Sequence, residues 1–181
     1  MIETERLILR PPAESDKHAV RVQLSNYEIA CWLAKVPHPY PPGHEETWWA
    51  RVLERERLGY PPYFMMGPKE QGETAPIGAI AIGPGPSGSW RMGYWLDQPW
   101  WGKRFMSEAA ACVLDHAFAA WRPDHVLAGV YEGNAASERI LRGLGFTYVD
   151  TTEEWCEARQ TSLPHINLVK EHPKPEDAGL A

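Results

Sequence analysis

Two short stretches of the sequence carry residue types that could bind an anion or face a ligand at the start of a helix. The first runs from Gln98 to Ala110, between a strand-like aromatic run and an alanine-rich segment with helical spacing. Its candidate binding groups are Gly102, Lys103, Arg104 and Ser107. A glycine leaves the backbone bare at the bend, and the first turn of a helix has unpaired N–H groups with partial positive charge. This turn therefore predicts a seat for phosphate or pyrophosphate.

A turn of this kind is weak evidence by itself, because most strand-to-helix turns with one glycine bind nothing. Two better-defined nucleotide patterns, Gly-x-x-x-x-Gly-Lys-Ser/Thr and Gly-x-Gly-x-x-Gly, are absent from the sequence. Their absence argues against a nucleotide P-loop and against a dinucleotide-binding fold.

The second stretch, from Asn134 to Phe146, follows a predicted strand and reads as a capped helix. Asn134 stands where an N-cap belongs, Ser137 follows one turn later, and glycines at 143 and 145 end the helix. Side chains at this spacing lie on the same side of a helix start, so both can face a ligand there. Taken alone, the stretch is explained equally well by capping at its two ends.

The elements that must position these stretches are predicted from apolar spacing and from Pro and Gly boundaries. Strands are predicted over 6–10, 62–66, 76–82, 90–96, 125–132, 146–152 and 165–170. Helices are predicted from 15 or 16 to 25, over 45–58, over 108–121 and over 135–143. Residues 26–44 are predicted as loop, 69–75 as a polar hairpin loop and 84–89 as a turn, and the polar segment 152–162 stays undecided. This order implies a mixed sheet with helices on both faces.

Composition predicts one domain over 1–172 and a loose tail over 173–181, where apolar residues are few. The chain has 181 residues and a net charge of −6, which disfavours nucleic acid and mildly favours cationic partners such as amines. The sequence has no apolar run of about 18 residues and no signal peptide at its N-terminus, so no membrane partner is predicted. Three widely spaced cysteines without a metal pattern, Cys31, Cys112 and Cys156, predict reduced thiols in the cytoplasm and no metal site.

In this order, the stretches resemble the GNAT superfamily of acyl-CoA-dependent N-acetyltransferases, and most of all its RimJ/RimL-type branch of ribosomal-protein N-terminal acetyltransferases. The resemblance extends from Thr4 to Lys170. The segments that carry it are Thr4–Arg10, Ile77-Gly78, Gly93–Leu96, Trp101–Lys103, Ser107–Ala109 and Asn134–Phe146.

The resemblance implies an α/β (α+β) fold with a mixed, mostly antiparallel, seven-stranded twisted sheet, helices on both faces and a central splay. It implies direct transfer of acetyl from acetyl-CoA to a primary amine, either a protein N-terminus or a small molecule, by a monomer or homodimer. The pantetheine arm would pair with the strand edge exposed at the splay. The implied cofactor-binding residues are Tyr94, Trp95, Leu96, Gly102, Lys103, Arg104, Phe105, Met106, Ser107 and Asn134.

For catalysis, the resemblance implies Ser137 as the proton donor to the leaving thiolate, with Asn134 orienting pantetheine or the helix start. The sequence departs from the family at Leu141, where many members carry a Tyr acid, and at Arg104, where Gly or Ala is usual. These departures keep open an alternative, a non-catalytic acyl-CoA-binding sensor. Glu108 is a candidate base, but an acid at a helix N-terminus is stabilising in any case, and the histidines are no better candidates.

Three tryptophans, Trp32, Trp48 and Trp49, fall in segments that form the acceptor-site wall in relatives. A tryptophan in a helix belongs to the core more often than to a pocket. The sequence leaves the acceptor amine undetermined.

Overall fold

The computed structural model describes residues 1–71, 76–85 and 87–173, and these residues form one eight-stranded sheet. The strands are β1 (Ile2–Glu3), β2 (Leu7–Arg10), β3 (Tyr63–Pro68), β4 (Gly78–Pro84), β5 (Trp90–Leu96), β6 (His125–Tyr131), β7 (Thr147–Cys156) and β8 (Thr161–Glu171). Their spatial order is β1-β2-β3-β4-β5-β6-β8-β7. Only the β5–β6 pair among these is parallel, so the prediction of a mixed, mostly antiparallel sheet is confirmed. The predicted count of seven strands is wrong because Ile2 and Glu3 add a short strand beside β2.

Five α-helices lie in the described residues: α1 (Lys17–Leu24), α2 (Tyr27–Ala30), α3 (His44–Arg57), α4 (Phe105–Trp121) and α5 (Ala135–Gly143). Two predictions about them are wrong. Helix α4 begins three residues before the predicted start at Glu108, because the Glu108 N–H already bonds to the Arg104 carbonyl at 3.1 Å. Helix α2 lies in a region predicted as loop, where the Asn26 side chain caps it by accepting from the Glu28 N–H at 3.0 Å.

The undecided polar segment 152–162 is the end of a hairpin formed by β7 and β8. Strand β7 forms one edge of the sheet, and all of its residues before Cys156 are exposed. A strand without a buried face has no reason to alternate apolar and polar residues, so periodicity does not mark it.

Helices cover both faces of the sheet, as predicted. Helices α4 and α5 cover one face, where they bury alternate residues such as Ile80 and Val126. Helices α1 and α3 cover the other face and bury the intervening residues, such as Met65 and Ala79. We call these the α4/α5 face and the α1/α3 face.

The predicted central splay is confirmed between β5 and β6. Their pairing is limited to Arg91 and Leu127, whereas β4 pairs along the whole of β5 and β8 along the whole of β6. The two strands diverge beyond this point, and a gap opens between residues 93–96 and 129–131.

Parts of three predictions lie outside the described residues: 72–75 of the hairpin loop, Pro86 of the turn, and 174–181 of the tail. Among the helices that the structure describes, none is both long and apolar enough to cross a membrane.

Candidate active site

A cavity of about 620 Å³ fills the gap between β5 and β6. Its lining comes from both faces of the sheet. Tyr94 and Ser137 reach it from the α4/α5 face, whereas Trp32 and His165 reach it from the α1/α3 face. The cavity therefore passes through the sheet and can receive two reactants from opposite sides.

The turn before α4 has the backbone conformation of an anion-binding site. Gly102 and Arg104 both adopt the left-handed conformation, with φ of 77° and 62°. Since Glu108 makes the first helical hydrogen bond, the N–H groups of residues 105–107 have no partner within the helix. Gly102, Arg104 and residues 105–107 line the cavity, and a Cβ added to Gly102 would meet no protein atom within 4 Å. The backbone is thus open to a ligand where the helix dipole favours an anion.

The side chains of this turn divide into two groups. Arg104 and Ser107 line the cavity. Phe105 and Met106 are buried in the core beneath α4 and anchor the helix start. Lys103 does not belong to the cavity lining, and its Nζ lies 4.5 Å from the centre of the Trp100 ring.

Glu108 ties the start of α4 to the N-terminal segment. Its carboxylate accepts hydrogen bonds from the Thr4 hydroxyl, from the Arg6 backbone N–H at 2.8 Å and from Arg6 Nε at 2.7 Å. Although burial acts to raise the pKa of Glu108, these hydrogen bonds outweigh it and lower that pKa. A carboxylate with all these donors is a poor base, so the geometry favours the structural role.

The predicted proton donor lies beside a second hydroxyl. Ser137 Oγ and the Tyr94 phenol oxygen lie 2.9 Å apart. Burial raises the pKa of Tyr94 to about 12, and the hydrogen bond to Ser137 opposes the shift. Asn134 is the N-cap of α5, since its Oδ1 accepts from the Ser137 N–H at 3.2 Å. The cap thus uses the Ser137 backbone and leaves its hydroxyl free for Tyr94.

The other two residues predicted on β5 have partners within the protein. Trp95 packs on the α1/α3 face and donates its indole N–H to Gln23 Oε1 at 2.9 Å. The Leu96 carbonyl accepts the Trp101 indole N–H at 2.7 Å. Both residues line the cavity, but the Leu96 carbonyl already has a partner.

The tryptophans and Leu141 have distinct surroundings. Trp32 lines the cavity, whereas Trp48 and Trp49 pack in the core beneath α3. Leu141 is 1% exposed and belongs to the core beneath α4 and α5. The position at which the resemblance implies a Tyr acid thus holds an apolar core residue.

Sequence reasoning missed two cavity residues that bear on chemistry, Arg139 and His165. Arg139 lies two residues after Ser137 on α5, where a cation can help to bind phosphate, but an exposed arginine on a helix gives no distinctive signal. His165 was dismissed with the other histidines. The sequence does hold one signal for His165, which is Gly129 in the middle of a predicted strand. A glycine inside a strand often marks a place where another group comes close to the backbone.

The family model of the acetyltransferase (GNAT) domain matches residues 6–147. This match covers most of the chain, so the protein belongs to the GNAT acetyltransferase family and transfers acetyl from acetyl-CoA to an amine. No curated protein sequence matches the chain.

Solved structures share the fold at low sequence identity. The ribosomal-protein-S5-alanine acetyltransferase of Vibrio fischeri is 22% identical, with a TM-score of 0.78 over 96% of this chain and 98% of that one. RimJ of Mycobacterium smegmatis in complex with CoA-disulfide is 21% identical, with a TM-score of 0.79 over 97% and 85%. A Salmonella typhimurium acetyltransferase that modifies the N-terminal serine of ribosomal protein L7/L12 is 17% identical, with a TM-score of 0.75 over 93% and 96%.

The residues present fit acetyl-CoA. Open N–H groups at 105–107 and the lining cations Arg104 and Arg139 suit its phosphates. The edge of β5 at the splay suits the amides of its pantetheine arm.

Proposed function

We propose that this protein acetylates the α-amino group at the N-terminus of a protein or peptide. The observation that carries the proposal is the cavity that passes through the sheet. Hydroxyl donors line it on one face, and the other face leaves room for an acceptor to enter. Two structures of similar fold belong to a ribosomal-protein-S5-alanine acetyltransferase and to an enzyme that modifies the N-terminal serine of ribosomal protein L7/L12. The N-terminus of an acceptor protein can enter such a passage, whereas the rest of the acceptor stays outside.

Acetyl-CoA would lie on the α4/α5 face, where it supplies the acetyl group as a thioester. The N–H groups of residues 105–107 would hold its pyrophosphate, with Arg104 and Arg139 as nearby cations. Lys103 contributes little in this arrangement, since its ammonium lies against the Trp100 ring.

The Ser137 hydroxyl would protonate the leaving sulfur. Its Oγ holds a proton at the cavity, and the Tyr94 phenol at 2.9 Å can replace that proton. Because burial raises the pKa of Tyr94 to about 12, the phenol keeps its proton at neutral pH. Asn134 fixes the turn that carries Ser137.

The acceptor would enter on the α1/α3 face beside α2. Trp32 and Leu33 form an apolar wall there, and the exposed carboxylate of Glu28 lies at the rim of the same cavity. An anionic rim attracts a protonated amine, in keeping with the net charge of −6. We also propose a cytoplasmic location, supported by the free thiols of Cys31, Cys112 and Cys156, and action as a monomer or homodimer.

One feature, taken alone, would suit an acyl-CoA-binding sensor without turnover, which membership of the acetyltransferase family argues against. Leu141, buried at the position of the usual Tyr acid, cannot donate a proton. The Tyr94–Ser137 pair supplies donors that a sensor would not need, and for this reason we favour the enzyme.

The test is acetyl transfer from acetyl-CoA to peptides that begin with alanine or serine and contain one internal lysine. The controls are the same peptides with a blocked N-terminus and free spermidine. We expect turnover only with a free N-terminus, together with stabilisation of about 2.7 kcal/mol by acetyl-CoA at 100 times its Kd. Stabilisation without turnover on any amine would favour the sensor, and acetylation of only lysine or spermidine would overturn the proposed acceptor.

A further inference from the structure

We propose that His165 is the general base of the reaction and takes the proton of the attacking amine at its Nε2 atom. The inference rests on the proposed function, because it presumes that an amine reaches the cavity from the α1/α3 face. His165 lies outside both of the stretches that the sequence singles out, Gln98–Ala110 and Asn134–Phe146.

His165 lies on the opposite face of the sheet from Ser137. Its neighbours on β8, Ile166 and Leu168, pack beneath α4 and α5, so the alternation of the strand turns His165 toward the α1/α3 face. The imidazole is half-buried and lines the same cavity as Ser137. The passage thus has a proton donor on the face proposed for the thioester and a proton acceptor on the face proposed for the amine.

A glycine on the neighbouring strand makes room for the imidazole. A Cβ built on Gly129 would lie 2.0 Å from Cε1 and 2.7 Å from Nε2 of His165. The ring therefore lies directly against the β6 backbone at the splay, with the Tyr131 ring edge-on at 5.1 Å. Any larger residue at position 129 would displace the imidazole.

A hydrogen-bond chain fixes which nitrogen is free. Asn167 Nδ2 donates to Asp150 Oδ1 at 2.8 Å and to Thr152 Oγ1 at 3.0 Å, which uses both of its hydrogens. Asn167 Oδ1 is left facing His165 Nδ1 at 3.3 Å, so Nδ1 must carry the hydrogen. The other nitrogen, Nε2, then has a lone pair that can accept a proton.

The surroundings keep the imidazole neutral. Burial lowers the pKa of His165 below its ordinary value, and Arg91 on β5 acts in the same direction. Asn167 on its own strand and Glu154 on β7 oppose the shift without reversing it. The Asp150 carboxylate on β7 faces the ring only through Asn167.

A base of low pKa suits one class of amine. The α-amino group of a peptide has a pKa of about 7.7–8.0, whereas a lysine side chain has about 10.4. The nitrogen that has added to the acetyl carbon is cationic and keeps this order of acidity, so the transfer of its proton to His165 is less uphill for an N-terminus than for lysine. This agrees with the proposed acceptor.

Other candidate bases along the cavity are less suitable. The Tyr131 phenol donates its proton to the Trp155 carbonyl at 2.7 Å, and burial raises its pKa. Glu28 is exposed at the rim of the cavity. Among the described residues that line the cavity, His165 alone presents an imidazole.

The proton balance closes with His165 and Ser137 together. The amine lone pair forms the bond to the acetyl carbon, and the N–H proton passes to His165 Nε2. The bond from carbon to sulfur breaks with its electron pair on sulfur, which takes the proton of Ser137 Oγ. Solvent then removes the proton from His165 and returns one to Ser137 through Tyr94.

The first test replaces the imidazole. We expect His165→Ala to lower kcat on a peptide with a free N-terminal alanine by about 10²–10⁴-fold, with the KM for acetyl-CoA unchanged. The fall of kcat at acidic pH should disappear in this variant, and added imidazole should restore part of the rate. His172→Ala is the matched control, since His172 lies just beyond the end of β8 and packs against Phe118.

Two further variants test the positioning. Asn167→Ala removes the oxygen that faces Nδ1 and acts to raise the pKa of His165, so the acidic limb of the kcat profile should move to lower pH. Gly129→Ala should lower kcat in the wild-type background. It should not lower kcat further in a His165→Ala background, because the ring that the new methyl group would displace is gone. A merely structural role for His165 predicts neither effect.

A readout that does not need turnover is the ¹⁵N NMR titration of His165 in the free protein. We expect the Nδ1–H tautomer and a pKa below about 6.5. A His165→Ala variant that keeps the wild-type kcat and acidic limb, or an Nε2–H tautomer, would overturn this proposal and leave the proposed function standing. A wild type that turns over no amine would overturn both.

Discussion

The Tyr94 phenol oxygen and Ser137 Oγ lie 2.9 Å apart and thereby join the splayed strand β5 to the first turn of α5. The pair brings two hydroxyls to the cavity. Because the capping bond of α5 uses the Ser137 N–H and not its hydroxyl, proton donation and helix stability can be tested separately.

Ser137→Ala should lower kcat by about 10²–10⁴-fold, because it removes the proposed proton donor to the leaving sulfur. The KM for acetyl-CoA and the Tm should hardly change, since the N–H that Asn134 caps remains. Tyr94→Phe should lower kcat less, because Ser137 keeps its own proton. Steady-state kinetics and thermal unfolding measure these effects.

Two variants serve as controls for Ser137. Ser162→Ala removes a hydroxyl from an exposed position of β8 and should be silent. Asn134→Ala removes the cap and should cost about 1 kcal/mol of unfolding free energy. If Ser137→Ala lowers only the Tm and leaves kcat intact, Ser137 is a structural residue and another group protonates the sulfur.

Arg104 combines a strained backbone with a cation at the cavity. At a φ of 62°, Arg104→Gly should relieve strain and raise the unfolding free energy by up to about 1 kcal/mol. If the guanidinium contacts phosphate, both Arg104→Gly and Arg104→Ala should raise the KM for acetyl-CoA, and more at low salt than at high salt. Urea unfolding and salt-dependent kinetics separate the two effects.

Arg122 provides a matched control for Arg104. It is also left-handed, with a φ of 48°, but it caps the far end of α4 and does not line the cavity. Arg122→Gly should stabilise the protein without changing the KM. Equal KM values for the Arg104 variants and the wild type would show that Arg104 is a solvated surface charge.

We expect Gly102 to be needed for acetyl-CoA binding as well as for the left-handed backbone of its turn. Gly102→Ala and Gly59→Ala place a Cβ at similar φ values of 77° and 67°, and neither Cβ meets a protein atom within 4 Å. Both should therefore lose similar stability, about 1 kcal/mol. Only Gly102→Ala should weaken acetyl-CoA binding in calorimetry, since Gly59 is remote from the cavity. Equal affinities would place the pyrophosphate elsewhere.

The sequence predicts those parts of the structure that depend on local patterns. Leu7 and Leu9 lie buried on one face of β2, as alternation requires, and Asn134 caps α5 as its residue type suggests. The stretch before α4 is a turn with open amides because Gly102 permits it. The start of α4 was misplaced because Arg104, an unusual residue in the left-handed conformation, is its N-cap.

The sequence could not show relations between distant strands. The role of His165 depends on Gly129, which meets it only once β6 and β8 pair. It also depends on Asp150 and Thr152, which hold Asn167 only once β7 and β8 pair. The Tyr94–Ser137 contact spans 43 positions of sequence. Glu108 was ambiguous for the same reason, because its partners Thr4 and Arg6 lie about a hundred residues away.

Glu108 should stabilise the fold and contribute little to catalysis. Glu108→Gln keeps the shape but removes the charge that the Thr4 hydroxyl and Arg6 bond to, so we expect a loss of about 1 kcal/mol at pH 7. Glu138→Gln is the control, because Glu138 also lies in the first turn of a helix but forms its ion pair with the exposed Arg142. It should cost about 0.5 kcal/mol or less.

The pH dependence of this difference has a definite sign. The folded-state pKa of Glu108 is lowered, so its contribution is fully present above the unfolded value of about 4.3 and is lost as the pH falls through the folded value. The gap in urea midpoint between wild type and Glu108→Gln should therefore be full at pH 7 and shrink below about pH 4.3. The kcat at pH 7 should stay within about twofold, whereas the loss of a general base would lower it by about 10²-fold or more. A fall of that size in a variant that still binds acetyl-CoA would assign the base to Glu108 instead of His165.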